Sequence, residues 1–164
     1  MAASTVKTDA GGCARRSAVK ELQPSVESAD LIVTMTNCQK PFMKTEWLPK
    51  NATVIQMGPC EFETDALEAA DVLLVDNWFQ ITGSAHSPVA ILHKEGNLQQ
   101  EDTTELRYVV AGMAEGRQNE DQQVMYCSLG LGAMDMIIAN QIYKNAKEMG
   151  IGQKLMLWDA PKWV

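Results

Sequence analysis

The sequence predicts an α/β fold built around a parallel sheet. Three short apolar runs carry this expectation: Leu31-Ile-Val-Thr-Met-Thr36, Thr53-Val-Ile-Gln-Met57 and Val72-Leu-Leu-Val-Asp76. Each is too short for a buried helix and rich in β-branched residues, so each reads as a fully buried strand. Two of them enter through the same phrase, Ser28-Ala-Asp-Leu-Ile-Val and Ala70-Asp-Val-Leu-Leu-Val, and the segments between have room for one short helix each. Strands alternating with helices give parallel strands with right-handed crossovers. Ligands of such sheets sit at the carboxyl ends of the strands. Those ends here are Thr34-Met-Thr-Asn37, Met57-Gly-Pro-Cys60 and Asp76-Asn77.

Taken in order, residues 1–16 are small, polar and glycine-containing. They show no strand pattern and are expected to be a flexible start. Residues 17–22 can form one helical turn before Pro24, and residues 24–28 a second, with the proline near its first position. After the first strand, Asn37-Cys-Gln-Lys-Pro41 is a loop, Phe42, Trp47 and Leu48 are an apolar set expected to cover the sheet, and Pro49-Lys-Asn51 is a turn. Residues 61–70 form an acidic helix candidate whose early carboxylates suit the helix dipole.

Residues 78–96 are helical in pattern, interrupted around Gly83 and Pro88. Glu101-Asp-Thr-Thr-Glu105 reads as a helix start, capped by Asp102 or Thr103, for a helix running to Gly112. After a polar loop, Val124-Met-Tyr-Cys127 is a fourth strand. Ser128-Leu-Gly-Leu-Gly132 then turns into the longest helix, residues 133–149, expected to bury Met136, Ile137, Ile142, Tyr143 and Ala146 and to stop at Gly150. That glycine turn either holds an anion on free N–H groups or simply lets helix and strand pack closely. The tail, Leu155 to Trp163, is apolar enough to dock on a partner surface.

Composition narrows the function. The 164 residues suffice for one domain, and the formal charge of −7, without a Lys/Arg cluster, argues against nucleic acid and anionic membranes as partners. No apolar run approaches a membrane span. Cys13, Cys38, Cys60 and Cys127 lack metal-type spacing and read as reduced thiols of a cytoplasmic protein. His86 and His93 lie where one helix face could carry both, but with no third ligand nearby they read as solvated helix residues rather than a metal site.

A dinucleotide-binding domain opens with a strand, Gly-x-Gly-x-x-Gly and a helix. Gly11-Gly12 is not that motif. The chain therefore reads as a partial Rossmann-like sheet, the second half of a doubly wound domain, with flanking helices and a long C-terminal helix. The expected organisation is a flexible start at 1–16, the partial nucleotide-binding domain at 17–131, and a helix with docking tail at 132–164.

The succession Ala29-Asp-Leu-Ile-Val-Thr-Met-Thr36, Pro41, Glu46-Trp-Leu-Pro-Lys50, Ala52, Gly58, Ala70-Asp-Val-Leu-Leu-Val-Asp76, Gly116-Arg117, Ser128-Leu-Gly130 and Asp135 resembles the ornithine cyclodeaminase/mu-crystallin family over residues 28 to about 152. The resemblance implies an NAD(P)-binding Rossmann domain, NAD or NADP as cofactor, an amino-acid or imino-acid substrate, and a homodimer or a partner carrying the missing half. By position it implies cofactor contacts at Thr34, Thr36, Met57, Gly58, Ser128 and Gly130. The family's acid/base Asp follows Gly-Ala; here the stretch is Gly58-Pro-Cys-Glu61, so Cys60 holds that place, and Glu61 or Glu63 is the candidate replacement. For any single one of Glu61, Glu63 and Asp65, a solvated acidic helix start is the favoured reading. The family's Lys before the Ser is Cys127 here. The contrasting reading is a non-catalytic fragment or subunit that acts by association, since a half-sheet leaves an edge strand for another chain to pair with.

Overall fold

The computed structural model of the protein describes residues 3–8, 14–156 and 158. The chain divides into two compact units, Met1–Leu129 and Gly130–Val164.

The first unit opens with a hairpin, β1 (Ala3–Thr8) antiparallel to β2 (Ala14–Val19). This corrects two expectations: the opening stretch does contain strands, and the first of the two turns expected before Ser28 is replaced by extended chain. Antiparallel pairing of two mostly polar segments satisfies the backbone without any apolar alternation, so periodicity had no signal to detect. Then α1 (Gln23–Glu27) starts on Pro24, as its fixed φ favours.

The parallel sheet follows: β3 (Leu31–Thr34), β4 (Thr53–Gln56), β5 (Val72–Val75), β6 (Thr104–Glu105) and β7 (Val124–Cys127). Its order is β3-β4-β7-β5-β6, with every pair parallel. The strands lie where the apolar runs placed them. The crossovers differ. A single 3-10 turn, Thr45–Trp47, stands between β3 and β4 where a helix was expected. Between β4 and β5, α2 (Thr64–Glu68) is shorter than its candidate stretch. The interrupted pattern at 78–96 resolves into α3 (Trp78–Gly83) and α4 (Pro88–Glu95), the latter ended by Gly96 at φ +82°, a conformation that favours glycine.

The helix start expected at Asp102 or Thr103 is corrected. Asp102 instead closes a 3-10 turn, where its side chain accepts from Gln99 N at 2.8 Å. Residues 104–105 pair with β5 as β6, and the helix α5 (Leu106–Val110) begins after them. The free edge of β5 offers backbone hydrogen bonds that outweigh a local capping preference. The two histidines do not share a helix face: His86 precedes α4, and His93 within it meets the Leu98 carbonyl at 3.0 Å and the Trp78 ring edge-on.

One face of the sheet holds the core. Ile32, Val54, Met125 and Leu73 form one register row, packed with Phe62, Met43, Leu67, Ile81, Val89 and Leu92. Leu48 is buried there, and Phe42 and Trp47 pack against it, the covering role read from the sequence. The opposite face is partly open. Leu31 and Val33 are 57% and 56% exposed, so β3 alternates instead of being buried on both sides.

The second unit is dominated by α6 (Gly132–Glu148). Met136, Ile137, Ile142 and Tyr143, expected to be buried, are exposed. A lone helix with a short tail has no second layer within its own unit against which to bury an apolar stripe. Of the expected docking tail, Leu155, Met156 and Trp158 are described and exposed; the rest lies outside the described residues.

Phe62 is fully buried and bridges Met43 through the backbone. Phe62→Ala is expected to lower unfolding free energy by about 3–5 kcal/mol. Urea titration checks this, with the midpoint falling and the slope unchanged.

Candidate functional site

Five strands finish in one register row: Thr34, Gln56, Cys127, Val75 and Glu105. Level strand ends deliver their following loops to a single edge, where ligands of parallel sheets bind. The row is largely polar, and Thr34, Gln56, Glu105 and Cys127 are all buried. Buried polar groups need partners, and these are supplied by the loops.

Glu61 is the hub. It follows β4 by five residues, and its side chain is 0% exposed. One oxygen, Oε1, accepts from the backbone N–H of Thr36 at 2.6 Å. The other, Oε2, accepts from Gly58 N at 3.0 Å and from the Thr34 hydroxyl. One carboxyl thus joins the end of β3, the loop after β3 and the loop after β4. Gly58 is required by this arrangement: a Cβ there would lie 2.5 Å from the Thr36 carbonyl oxygen and 2.6 Å from Glu61 Cδ. Gln56 continues the seam, its Nε2 donating to Gly58 O at 3.0 Å while its Oε1 accepts from Cys127 Sγ at 3.4 Å.

A second carboxylate organises the other side of the edge. Asp76 Oδ2 accepts from Leu129 N at 2.8 Å and from the Ser128 hydroxyl at 3.2 Å, and Oδ1 accepts from Asn77 N at 2.9 Å. It pins the chain leaving β7 to the chain leaving β5. Glu105 does the same for α3, accepting from Trp78 N at 3.0 Å while pairing with Arg107 at 2.6 Å. Burial, reinforced by the Asp76 carboxylate, pushes the Cys127 thiol up to about 12. Burial also raises the Tyr126 phenol, opposed by its hydrogen bond with Ser128 and assisted by Asp76.

The structure brings Thr34, Thr36, Met57, Gly58 and Ser128 to this edge; Ser128 N bonds Gln56 O at 2.9 Å, and Met57 N bonds Thr34 O at 2.9 Å. Met57 is 42% exposed. Gly130, the first residue of the second unit, adopts φ +91°. Glu63 is exposed and stands outside the Glu61 network, beside a shallow surface hollow lined with Lys44, Thr45, Glu46 and Asp65. Among the described residues no cluster of three metal-capable side chains occurs. Residue-by-residue reasoning missed Gln56, Asp76 and Glu105 as site organisers. Gln56 carried a signal, a polar residue inside an apolar strand run, and so did Asp76, an acid immediately after one. Glu105 carried none.

Glu61→Gln replaces an acceptor by an amide that cannot accept from both Gly58 and Thr36, and is expected to cost about 1–3 kcal/mol. Glu63→Gln, on an exposed side chain, is expected to stay within about 0.5 kcal/mol of the parent. Chemical denaturation of the two variants measures both. The raised thiol gives a further expectation. Cys127 keeps its proton in the folded chain, whereas unfolded it ionises near 9.0. Stability from this group is therefore full below about pH 9 and is lost as pH rises toward 12, because the unfolded state releases its proton first. Tyr126 and Cys60 shift in the same direction, so Cys127→Ala is expected to flatten part of the alkaline fall in an unfolding series across that window.

Comparison with known proteins agrees with this geometry. The profile of the Ornithine cyclodeaminase/mu-crystallin family matches residues 6–150, reaching further toward the start than the motifs do. Alanine dehydrogenase of Archaeoglobus fulgidus is 27% identical over 151 residues, covering 87% of this chain and 46% of that protein. A Delta(1)-pyrroline-2-carboxylate reductase of Bacillus cereus is 30% identical over 145 residues, covering 83% and 43%. The structure of Thermococcus litoralis Delta(1)-pyrroline-2-carboxylate reductase in complex with NADH and L-proline superposes with a TM-score of 0.74 at 25% identity, covering 84% of this chain and 44% of that one. The chain thus spans less than half the length of these relatives. With its parallel sheet, its ordered strand-end loops and a profile match over most of its length, the chain belongs to the ornithine cyclodeaminase/mu-crystallin family.

Proposed function

We propose that this chain forms the nicotinamide-side half of an NAD(P)-dependent oxidoreductase or cyclodeaminase acting on small amino or imino acids. The observation that carries this reading is the carboxyl edge itself. Loops from β3, β4 and β7 converge there on Glu61 and Asp76. Those loops carry the exposed methionines Met35 and Met57 and the half-buried Thr36 and Ser128. An apolar surface beside hydroxyls suits a planar, amide-bearing ring. The nicotinamide, when bound, supplies or accepts the hydride. Thr34, Thr36, Met57, Gly58, Ser128 and Gly130 are the residues assigned to the cofactor. Glu61 serves as a positioning residue that orders both loops, and exposed Glu63 is the candidate of the two for proton transfer. The pyrophosphate needs a glycine fingerprint that the described residues lack, so catalysis calls on residues beyond this half of the domain; a homodimer, or a partner carrying the other half, belongs to the same reading. A cytoplasmic location fits the unpaired thiols.

A specific observation also favours association as the function in its own right. Leu31 and Val33 are exposed along the edge strand β3 and Met35 just after it, beside backbone that pairs with no further strand among the described residues. Such an edge recruits further strands.

Titration of the purified chain with NADH and NADPH separates the readings. Energy transfer from tryptophan and the thermal midpoint are the readouts. A saturable signal with a raised midpoint, absent in Gly58→Ala that still melts cooperatively, is the expected outcome, because a ligand confined to the folded state stabilises it. A flat titration with a cooperatively folded chain overturns the nucleotide reading and leaves association.

A further inference from the structure

Two of the three described cysteines belong to neither carboxylate network. Cys38 lies in the loop after β3, and Cys60 in the loop after β4, immediately before Glu61. Both are half-buried, whereas Cys127 is buried and committed to Gln56. The Cys38 thiol donates to the backbone carbonyl of Cys60 at 3.0 Å. The sulfur of one cysteine is therefore seated against the main chain of the other.

We infer that Cys38 and Cys60 form a redox-active dithiol, a modification site that closes to an intramolecular disulfide across the two strand-end loops. The frame is already set for it. Thr36, two residues before Cys38, and Glu61, the residue after Cys60, are joined by the 2.6 Å bond from Thr36 N to Glu61 Oε1. Gly58, two residues before Cys60, is bonded to the same carboxyl at 3.0 Å. The two cysteines are thus presented by loops tied at both flanks, and a side-chain rotation at Cys60 is the movement that brings its sulfur toward Cys38. Disulfides need their Cα atoms about 4.4–6.8 Å apart, and the 3.0 Å contact already sets the Cys38 sulfur against the Cys60 main chain. Burial first, and the neighbouring Cys38 second, raise the Cys60 thiol above its ordinary value.

The oxidant is a low-molecular-weight disulfide such as glutathione disulfide. A thiolate of the pair attacks it, forming a mixed disulfide and releasing one glutathione thiolate. The second cysteine, deprotonated, attacks the protein-side sulfur of that mixed disulfide and expels the other glutathione. Two electrons pass from Cys38 and Cys60 to the oxidant, the two thiol protons end on the released glutathiones, and one sulfur–sulfur bond replaces another. The reaction is independent of nucleotide binding, so its outcome stands apart from that of the cofactor titration.

The test uses the full chain, reduced and then incubated with glutathione disulfide under native conditions. Remaining thiols are alkylated before proteolysis and mass spectrometry. The expected product is a linked pair of peptides holding Cys38 and Cys60, lighter by two hydrogens than the reduced pair. Cys38→Ser and Cys60→Ser are each expected to lose that product and to accumulate glutathione on the remaining cysteine, since nothing then resolves the mixed disulfide. Thermal melts verify that both variants are folded. Stable glutathionylation of the parent at both positions, cross-linked peptides containing Cys13 instead, or full alkylation of Cys38 and Cys60 after exposure to the oxidant would each overturn the inference.

Discussion

A buried carboxyl with three donors is the constraint on which the carboxyl edge depends. Taking a carboxyl out of water is unfavourable unless its oxygens are matched by hydrogen bonds. Glu61 meets that condition only if the Thr34 hydroxyl and the N–H groups of Thr36 and Gly58 all point inward. That demand fixes the course of both loops, excludes any side chain at Gly58, and places Met57 outward at the rim. Oε2 has two donors and Oε1 is matched by the Thr36 N–H, so loss of the Thr36 contact leaves an oxygen unmatched in the interior. Asp76 repeats the device between β5 and β7. The edge is therefore organised by acidic side chains turned inward toward backbone amides.

The sheet divides its labour between two faces. On the core side, apolar rows pack against Phe62, Met43 and the helices, and the last row before the edge becomes polar where the carboxyls take over. On the other side, Leu31 and Val33 remain open on the edge strand, and in the second unit α6 exposes its own apolar residues. The chain spans less than half the length of its relatives.

Much of this was legible in the residues. Four short apolar runs marked four of the five strands of the parallel sheet, and the break at Gly83 and Pro88 marked the division between α3 and α4. The order of motifs from Ala29 to Asp135 identified the family. The hairpin β1/β2 escaped because its segments lack apolar alternation, and β6 escaped because two residues are too few to show any period. The acidic stretch after β4 looked uniform in sequence, yet Glu61 turns inward while Glu63 stays in solvent.

The sequence by itself determined where four strands of the main sheet lie, that they run parallel, and which family the chain belongs to. These depend on local side-chain period and on short motifs, both written in consecutive residues. Only the tertiary structure decided that β7 inserts between β4 and β5, that five strand ends stand level, and that Glu61 serves loops 25 to 27 residues away. The reason is physical. Strand order and buried hydrogen bonds are settled by which distant groups satisfy one another once the core has packed, and a partner that distant leaves no imprint on the residues beside it.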